Sequence, residues 1–426
     1  MENARQIAWE VLTQCVSAER YSNLALDTAI KRSNLNTADR GLLTTLVYGV
    51  MEKQIPLDAC INSLVRQNSD IPINIRALLR LGIYQILYLD RVPDHAAVNE
   101  TVNLAPKRYK GFVNALLRAF LRGGKRIPLP NRECEPLRYL SVKYSFCEEL
   151  CEKFVAEFGF FRTESLFAAF GVQPSVTLRV NTLKTSREEY AARLGEAELL
   201  TEFCRESGSG LHLLSKAPVS SLYGFEEGLF FVQDEASQLC VEALDAREGM
   251  RILDTCACPG SKAFGAAITM KNQGSVVACD LHGNKLSLIE SGGARLGISI
   301  LQTVQRDARE PNDEWVGSFD RVLCDVPCSG FGVFAKKPEL RYKNPEKSEQ
   351  LPQIQLDILT RSADFVKEGG RLVYSTCTLI AEENERNVAR FLAQNKNFVL
   401  WNQRTLYPDT DGCDGFYFAV LERIRN

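Results

Sequence analysis

Apolar positions along the first 126 residues recur at helical spacing. They do so in AWEVLTQCV, in LLTTLVYGV and in IRALLRLGIYQILYL, so each segment can pack one face inward and leave the other in water. Thr37 and Asp94 suit N-cap positions, and Pro72 suits a first helical turn. The pattern predicts an all-α domain over residues 1–126. The prolines of IPLPNRECEP make 127–136 a linker. Residues 137–232 mix two periods. SFCEELCEKFVAEFG reads as an amphipathic helix, and SVTLRVNTL and GLFFVQD read as strands, which predicts a small α+β lobe.

From residue 233 the pattern becomes regular. Helix EASQLCVEAL precedes strand RILDTC, a glycine-bearing turn and a helix from about residue 262. Strand SVVACD, helix GNKLSLIESGGARLG, strands ISILQTV and FDRVLCD, helix PQIQLDILTRSADFV, strand RLVYSTC and helix EENERNVARFLAQ follow. Such alternation predicts a doubly wound, Rossmann-like α/β domain over 233–426. Ligands of such sheets lie outside the carboxyl ends of the strands.

Those ends carry candidate chemistry. The first strand stops at Asp254 and opens a turn of Cys256, Ala257, Cys258, Pro259, Gly260, Ser261 and Lys262. A Pro-Gly turn that feeds a helix brings backbone N–H groups close to a ligand. The next strand ends at Asp280, where an acid can accept ribose hydroxyls. The third leads to Asp307, an acceptor for an adenine amino group, and the fourth ends at Asp325. Four acids at successive strand ends, without a dinucleotide fingerprint, point to S-adenosyl-L-methionine rather than NAD. Two thiols accompany them: Cys328 in CDVPCSGFGV, and Cys377 at the end of RLVYSTC. A thiolate is the natural nucleophile for carbon 6 of a pyrimidine, and its attack loads electron density onto carbon 5, which can then take a methyl group. The spacing leaves open which thiol attacks.

Composition narrows the picture. With 426 residues, 45% apolar and 24% charged, the chain reads as a soluble protein of more than one domain. No apolar run approaches ~18 residues, so no membrane span is expected. Nothing resembles an export signal, so the fourteen cysteines are expected to stay reduced in the cytoplasm. The cysteines and three histidines form no paired short-spaced clusters, and no metal is expected. Nothing demands more than a monomer.

The net charge of −2 hides an asymmetry: residues 1–145 hold 20 Lys and Arg against 13 Asp and Glu, a surplus of +7, and the remainder carries −9. A basic module joined to an acidic one suggests a polyanionic partner for the first. The run 105–126 concentrates the surplus in Lys107, Arg108, Lys110, Arg118, Arg122, Lys125 and Arg126, with aromatics between them and no acid. That composition suits a surface tracking a phosphate backbone. It also suits a solvated helix face whose basic end meets the helix dipole.

Several stretches carry a resemblance. HAAVNETVNLAP followed by FVNALLR (95–118) resembles a NusB-like RNA-binding domain. LRVNTLK (178–184), VQDEAS (232–237), LDTCACPGSK, DVPCSGFGV and YSTCTLIAEENE resemble blocks of the bacterial 16S ribosomal RNA cytosine-5 methyltransferases of the Fmu/Sun (RsmB-like) type. The resemblance implies a NusB-like domain, an RNA-binding extension carrying Arg179 and Asn181, and a Rossmann-like methyltransferase domain. It implies 5-methylcytosine in small-subunit ribosomal RNA as the product, formed through a covalent cysteine–carbon 6 adduct. Cys377 would be the nucleophile and Cys328 would aid release. Asp325 and Lys262 would lie at the reacting base, with Asp325 handling the proton. The loop Cys256–Lys262, with Asp280, Asp307 and Asp325, would hold S-adenosyl-L-methionine.

Two departures stand out. The family loop usually reads APGGKT, and here it reads CPGSKA. A serine at a position needing positive φ would be strained and would lower cofactor affinity. The stretch FAKKPELRY also lacks the usual His-Pro-Asp order.

Overall fold

Seven helices account for the periodicity of the N-terminal segment: α1 (Ala4–Ala18), α2 (Ser22–Arg32), α3 (Thr37–Glu52), α4 (Gln54–Leu64), α5 (Ile73–Tyr88), α6 (Asp94–Leu104) and α7 (Lys110–Arg122). They come from a computed structural model that describes residues 3–18, 22–66 and 70–425. In α7, Val113, Leu116, Leu117 and Phe120 form a buried stripe, at the spacing that puts apolar side chains on one helix face. Thr37 and Asp94 are first helical residues rather than caps. Asn36, in extended backbone, caps α3 by accepting the Asp39 N–H at 2.8 Å. Pro72 directly precedes α5.

The chain divides by its contacts into two units, Met1–Gly171 with Lys336–Pro345, and Val172–Ala335 with Glu346–Asn426. Helices α8 (Pro136–Tyr144), α9 (Glu148–Phe158) and α10 (Phe160–Ala169) therefore pack with the first unit. The sequence pattern had grouped them with the strands that follow. Helix α8 packs on α4, where the Ser145 hydroxyl accepts the Ile55 N–H at 3.3 Å, and the three helices hold one another through Phe146 on Phe167 at 3.9 Å and Phe154 on the same ring at 5.2 Å.

Residues 336–345 plug into this cluster. The Arg341 guanidinium is fully buried. It donates to the Tyr144 and Phe170 carbonyls at 3.0 and 2.5 Å and lies 4.6 Å from the Phe146 ring centre. The Tyr342 hydroxyl sits 2.7 Å from the Met51 carbonyl and accepts the Gln54 N–H at 3.2 Å. The unusual PELRY stretch is thus a packing element of the first unit.

The second unit holds two sheets. The smaller is antiparallel, in the order β2 (Thr201–Phe203), β3 (Gly210–Leu213), β1 (Val176–Val180), β4 (Phe230–Val232). Helix α11 (Arg187–Glu196) opens on a capping box between Ser186 and Glu189.

Arg179 and Asn181 depart from expectation: they are 2% and 0% exposed. Arg179 donates to Gln233 and Thr269, and Asn181 donates to the Gly228 and Leu296 carbonyls at 2.9 Å. Both faces of β1 are covered, so these polar groups bind protein and not RNA.

The larger sheet has seven strands in the order β10 (Phe398–Leu406), β11 (Phe416–Arg423), β9 (Val366–Thr376), β8 (Phe319–Asp325), β5 (Arg251–Asp254), β6 (Ser275–Asp280), β7 (Leu301–Gln305). Strands β5 to β9 run parallel, and β10 and β11 add an antiparallel edge. Helices α12 (Glu235–Ala243), α13 (Ser261–Thr269), α14 (Leu286–Leu296), α15 (Leu351–Asp364) and α16 (Glu385–Gln394) connect and cover it. The strand–helix alternation foresaw β5 to β9 but not the final hairpin. Strand β10 (FVLWNQRTL) bunches its apolar residues at one end and is mostly exposed between its ends, so it lacks the apolar/polar alternation that marks a half-buried strand.

Candidate active site

Strands β5 and β8 are neighbours whose chains leave in opposite directions along the sheet, toward β6 and toward β9. Their carboxyl ends flank the switch point where α/β sheets bind ligands. The turn after β5 is held by backbone bonds from Ala257 N–H to the Cys279 carbonyl at 2.7 Å and from Gly260 N–H to the Ala257 carbonyl at 2.6 Å. Gly260 has φ +107°, and a Cβ there would lie 2.5 Å from the Phe264 ring. The turn therefore needs glycine at 260. Ser261 is the first residue of α13 and is absent from the positive-φ residues. The expected strain at Ser261 does not arise, because the neighbouring glycine carries the left-handed conformation.

Lys262, on the first turn of α13, reaches Asp325 with its Nζ 2.6 Å from Oδ2. Burial pulls its ammonium down, yet Asp325 outweighs this and lifts the pKa above the ordinary lysine range. The other Asp325 oxygen accepts the Ser375 hydroxyl at 2.7 Å. Ser375 lies across from Asp325 in the β8–β9 ladder, so strand register delivers this bond.

Asp254 ends β5 and is 1% exposed. Its Oδ2 has no partner, and its Oδ1 accepts a long bond from Cys256 N–H at 3.4 Å. Burial first, and the charge of Asp325 second, raise its pKa to about 7.

The two thiols stand together. Cys328 follows β8 and Cys377 follows β9, with Sγ atoms 2.9 Å apart. The Cys377 N–H also donates to Cys328 Sγ at 3.2 Å. The bond to Cys377, and then burial, push the Cys328 thiol well above its ordinary value, and in the Sγ–Sγ contact either sulfur can be the donor.

A polar net fixes both loops. Glu383 accepts the Ser329 N–H at 2.9 Å and the Gln355 amide at 2.8 Å, and the Ser329 and Thr378 hydroxyls bond at 2.8 Å. A side chain on Gly332 would collide with the Gly415 carbonyl, which explains the glycine-rich turn.

The remaining predicted residues are spread out. Asp280 closes β6 and accepts the His282 N–H at 2.9 Å. Asp307 has both oxygens engaged by Arg309, at 3.0 and 2.6 Å. Lys107, Arg108, Lys110, Arg118 and Arg122 are exposed in the first unit. Sequence reasoning missed Ser375 and Glu383 as supports and left Asp254 without a role. Ser375 was detectable as the residue two before Cys377, hence on the same face of a strand. Glu383 looked like any acid near a helix start.

A parallel sheet with an antiparallel edge, a glycine turn after its central strand and a helical domain in front define a Rossmann-like methyltransferase joined to a NusB-type domain. Three family models cover these parts: NusB at residues 2–122, the ferredoxin-like domain of RsmF/B-like methyltransferases at 148–220, and 16S rRNA methyltransferase RsmB/F at 241–422. The probable ribosomal RNA small subunit methyltransferase B of Bacillus subtilis is 37% identical over 99% of both chains. The chain belongs to this RsmB/F family of 16S rRNA methyltransferases. Among solved structures, PH0851 matches with a TM-score of 0.81 at 26% identity over 99% of each chain. NSun6 from Pyrococcus horikoshii, solved with SFG, shares the fold at a TM-score of 0.62 and 23% identity, over 66% of this chain and 100% of its own.

Proposed function

We propose that this protein transfers a methyl group from S-adenosyl-L-methionine to carbon 5 of a cytosine in 16S ribosomal RNA, in the cytoplasm and as a monomer. The observation that carries the reading is the thiol pair, 2.9 Å apart, at the strand ends beside the Lys262–Asp325 pair. The cofactor's place is supported by two features of the turn. Gly260, at φ +107°, makes the tight turn that opens α13 at the strand end, and Asp254, the last residue of β5, keeps a buried oxygen without a partner. The loop 256–262, with Asp280, Asp307 and Asp325, would hold it; Asp307 Oδ2 takes one bond from Arg309 and keeps a further acceptor site. When bound, the cofactor supplies an electrophilic methyl group for carbon 5.

The chain's own residues do the rest. The target base leaves its stack, at a cost of a few kcal/mol. Cys377 Sγ adds to carbon 6, and the electron pair of the 5,6 double bond moves into the ring. Asp325, fixed by Ser375 and sharing the proton of the Lys262 ammonium, passes that proton to ring nitrogen 3 as the electron pair arrives and takes it back on release. After methylation a base takes the carbon-5 proton, the double bond re-forms, and the Sγ–carbon 6 bond breaks. A hydrogen bond from the Cys328 S–H to the Cys377 sulfur as it leaves stabilises the departing thiolate and lowers the cost of release.

Labelled cofactor and unmodified 16S ribosomal RNA test this reading. Labelled 5-methylcytidine is expected with the wild type and none with Cys377→Ala. Cys328→Ala should accumulate a covalent protein–RNA adduct on denaturing gels. An adduct with Cys377→Ala would reverse the two roles, and label on another nucleoside would overturn the chemistry.

A further inference from the structure

Three residues distant in sequence converge beside the small sheet. Cys204 follows β2, His212 lies in β3 and Glu235 opens α12. One donor atom from each lies within 4.8 Å of the other two. Cys204 and Glu235 are buried, and His212 is half-buried. We propose that they form a divalent-cation site of the zinc class that staples the β2–β3 hairpin to the start of α12.

Each donor is already oriented by an outer partner. His212 Nδ1 faces the Thr177 and Ser175 hydroxyls at 3.1 and 3.4 Å. That leaves Nε2 turned toward Glu235 Oε2, 3.6 Å away. Glu235 Oε1 accepts the N–H groups of Glu206 and Ser207 at 2.7 and 3.1 Å, so Oε2 remains for a cation. Cys204 is tied by its N–H to the Gly210 carbonyl at 3.0 Å. Gly210 must be glycine, since a Cβ would collide with Cys204 Sγ. Outer partners that fix imidazole and carboxylate orientation are a regular part of metal sites.

The donor chemistry selects the ion. Thiolate, imidazole and carboxylate suit zinc, whereas calcium and magnesium take oxygen ligands. Bonds of about 2.0–2.3 Å in a tetrahedron put ligand atoms about 3.3–3.6 Å apart; the His212–Glu235 separation is 3.6 Å, and the three donors, within 4.8 Å of one another, would draw together on binding. A thiolate and a carboxylate together neutralise a divalent charge, so the occupied site buries no net charge. Three protein ligands leave a fourth position for water.

Cobalt(II) titration of the full-length, metal-stripped protein tests the site. One equivalent should produce thiolate-to-cobalt charge-transfer absorption, retained in the Cys328→Ala/Cys377→Ala double variant and lost in Cys204→Ser and in His212→Gln. No band, a band that survives His212→Gln, or a band lost with the catalytic thiols instead would overturn the proposal. A measurement on the wild type alone guards against misfolded variants: zinc should slow amide exchange across residues 201–213 at least tenfold. Unchanged exchange would identify a metal-free polar cluster.

Discussion

In the first unit the cations of α7 stand in solvent, whereas in the second unit Lys262 is buried against Asp325 at 2.6 Å. Exposed cations act through a screened, additive field, so any one of them is replaceable. A buried ion pair acts at one place and in one geometry, and losing one partner strands the other. The two units therefore differ in how they should fail: gradually in RNA affinity for the first, abruptly in chemistry for the second.

The largest effect should come from Lys262→Met. Product formation should fall by about a hundredfold or more, as for loss of a group positioned at a reacting base, while filter-binding affinity for RNA stays close to wild type. A parallel loss of affinity would break the division between the units.

Arg341→Ala tests the contrast from inside the first unit, because Arg341 is a buried cation there. Its removal leaves two carbonyls without their donor and opens a cavity, at a cost of about 3 kcal/mol. The urea midpoint of the full chain should fall accordingly. An unchanged midpoint would mean that residues 336–345 do not anchor that unit.

A smaller and graded effect is expected from neutralising Lys107, Arg108 and Lys110 together. RNA binding should weaken, and the slope of log affinity against log salt should flatten by about 2, from about 0.7 per phosphate contact on single strands. A salt slope equal to wild type would remove this stretch from the binding surface.

The subtlest prediction concerns Asp254. Unfolded, its carboxyl titrates near ~4; folded, it titrates at about 7. Between these values the unfolded chain releases the proton and the folded chain keeps it. The contribution of Asp254 to stability is thus full below ~4, falls as pH rises through that window, and is flat above it. Asp254→Asn should gain stability relative to wild type between pH ~4.5 and ~7.5, read from denaturation midpoints at both ends. Identical pH profiles would show an ordinary carboxyl at β5.

Much of this was legible in residue order. The stripe of Val113, Leu116, Leu117 and Phe120 declares α7 on its own, and the apolar runs before Asp280 and Asp325 declare β6 and β8. The placement of Lys262, Cys328 and Cys377 near strand ends followed, because a strand's end is marked locally by the turn that stops it. The final hairpin was missed where β10 runs FVLW and then NQRT, apolar and polar in blocks rather than in alternation.

Convergence across elements was not legible. Arg179 and Asn181 look like surface polar residues until α13 and α14 cover them. Arg341 looks like a surface cation until the Phe146 ring and the Tyr144 and Phe170 carbonyls enclose it. Cys204, His212 and Glu235 share no spacing at all; a hairpin and a helix start bring them together. Periodicity reports which way a side chain faces within its own element, since that depends only on local backbone geometry. Which polar groups meet depends on strand order, register and the packing of separate elements, and those exist only once the chain has closed on itself.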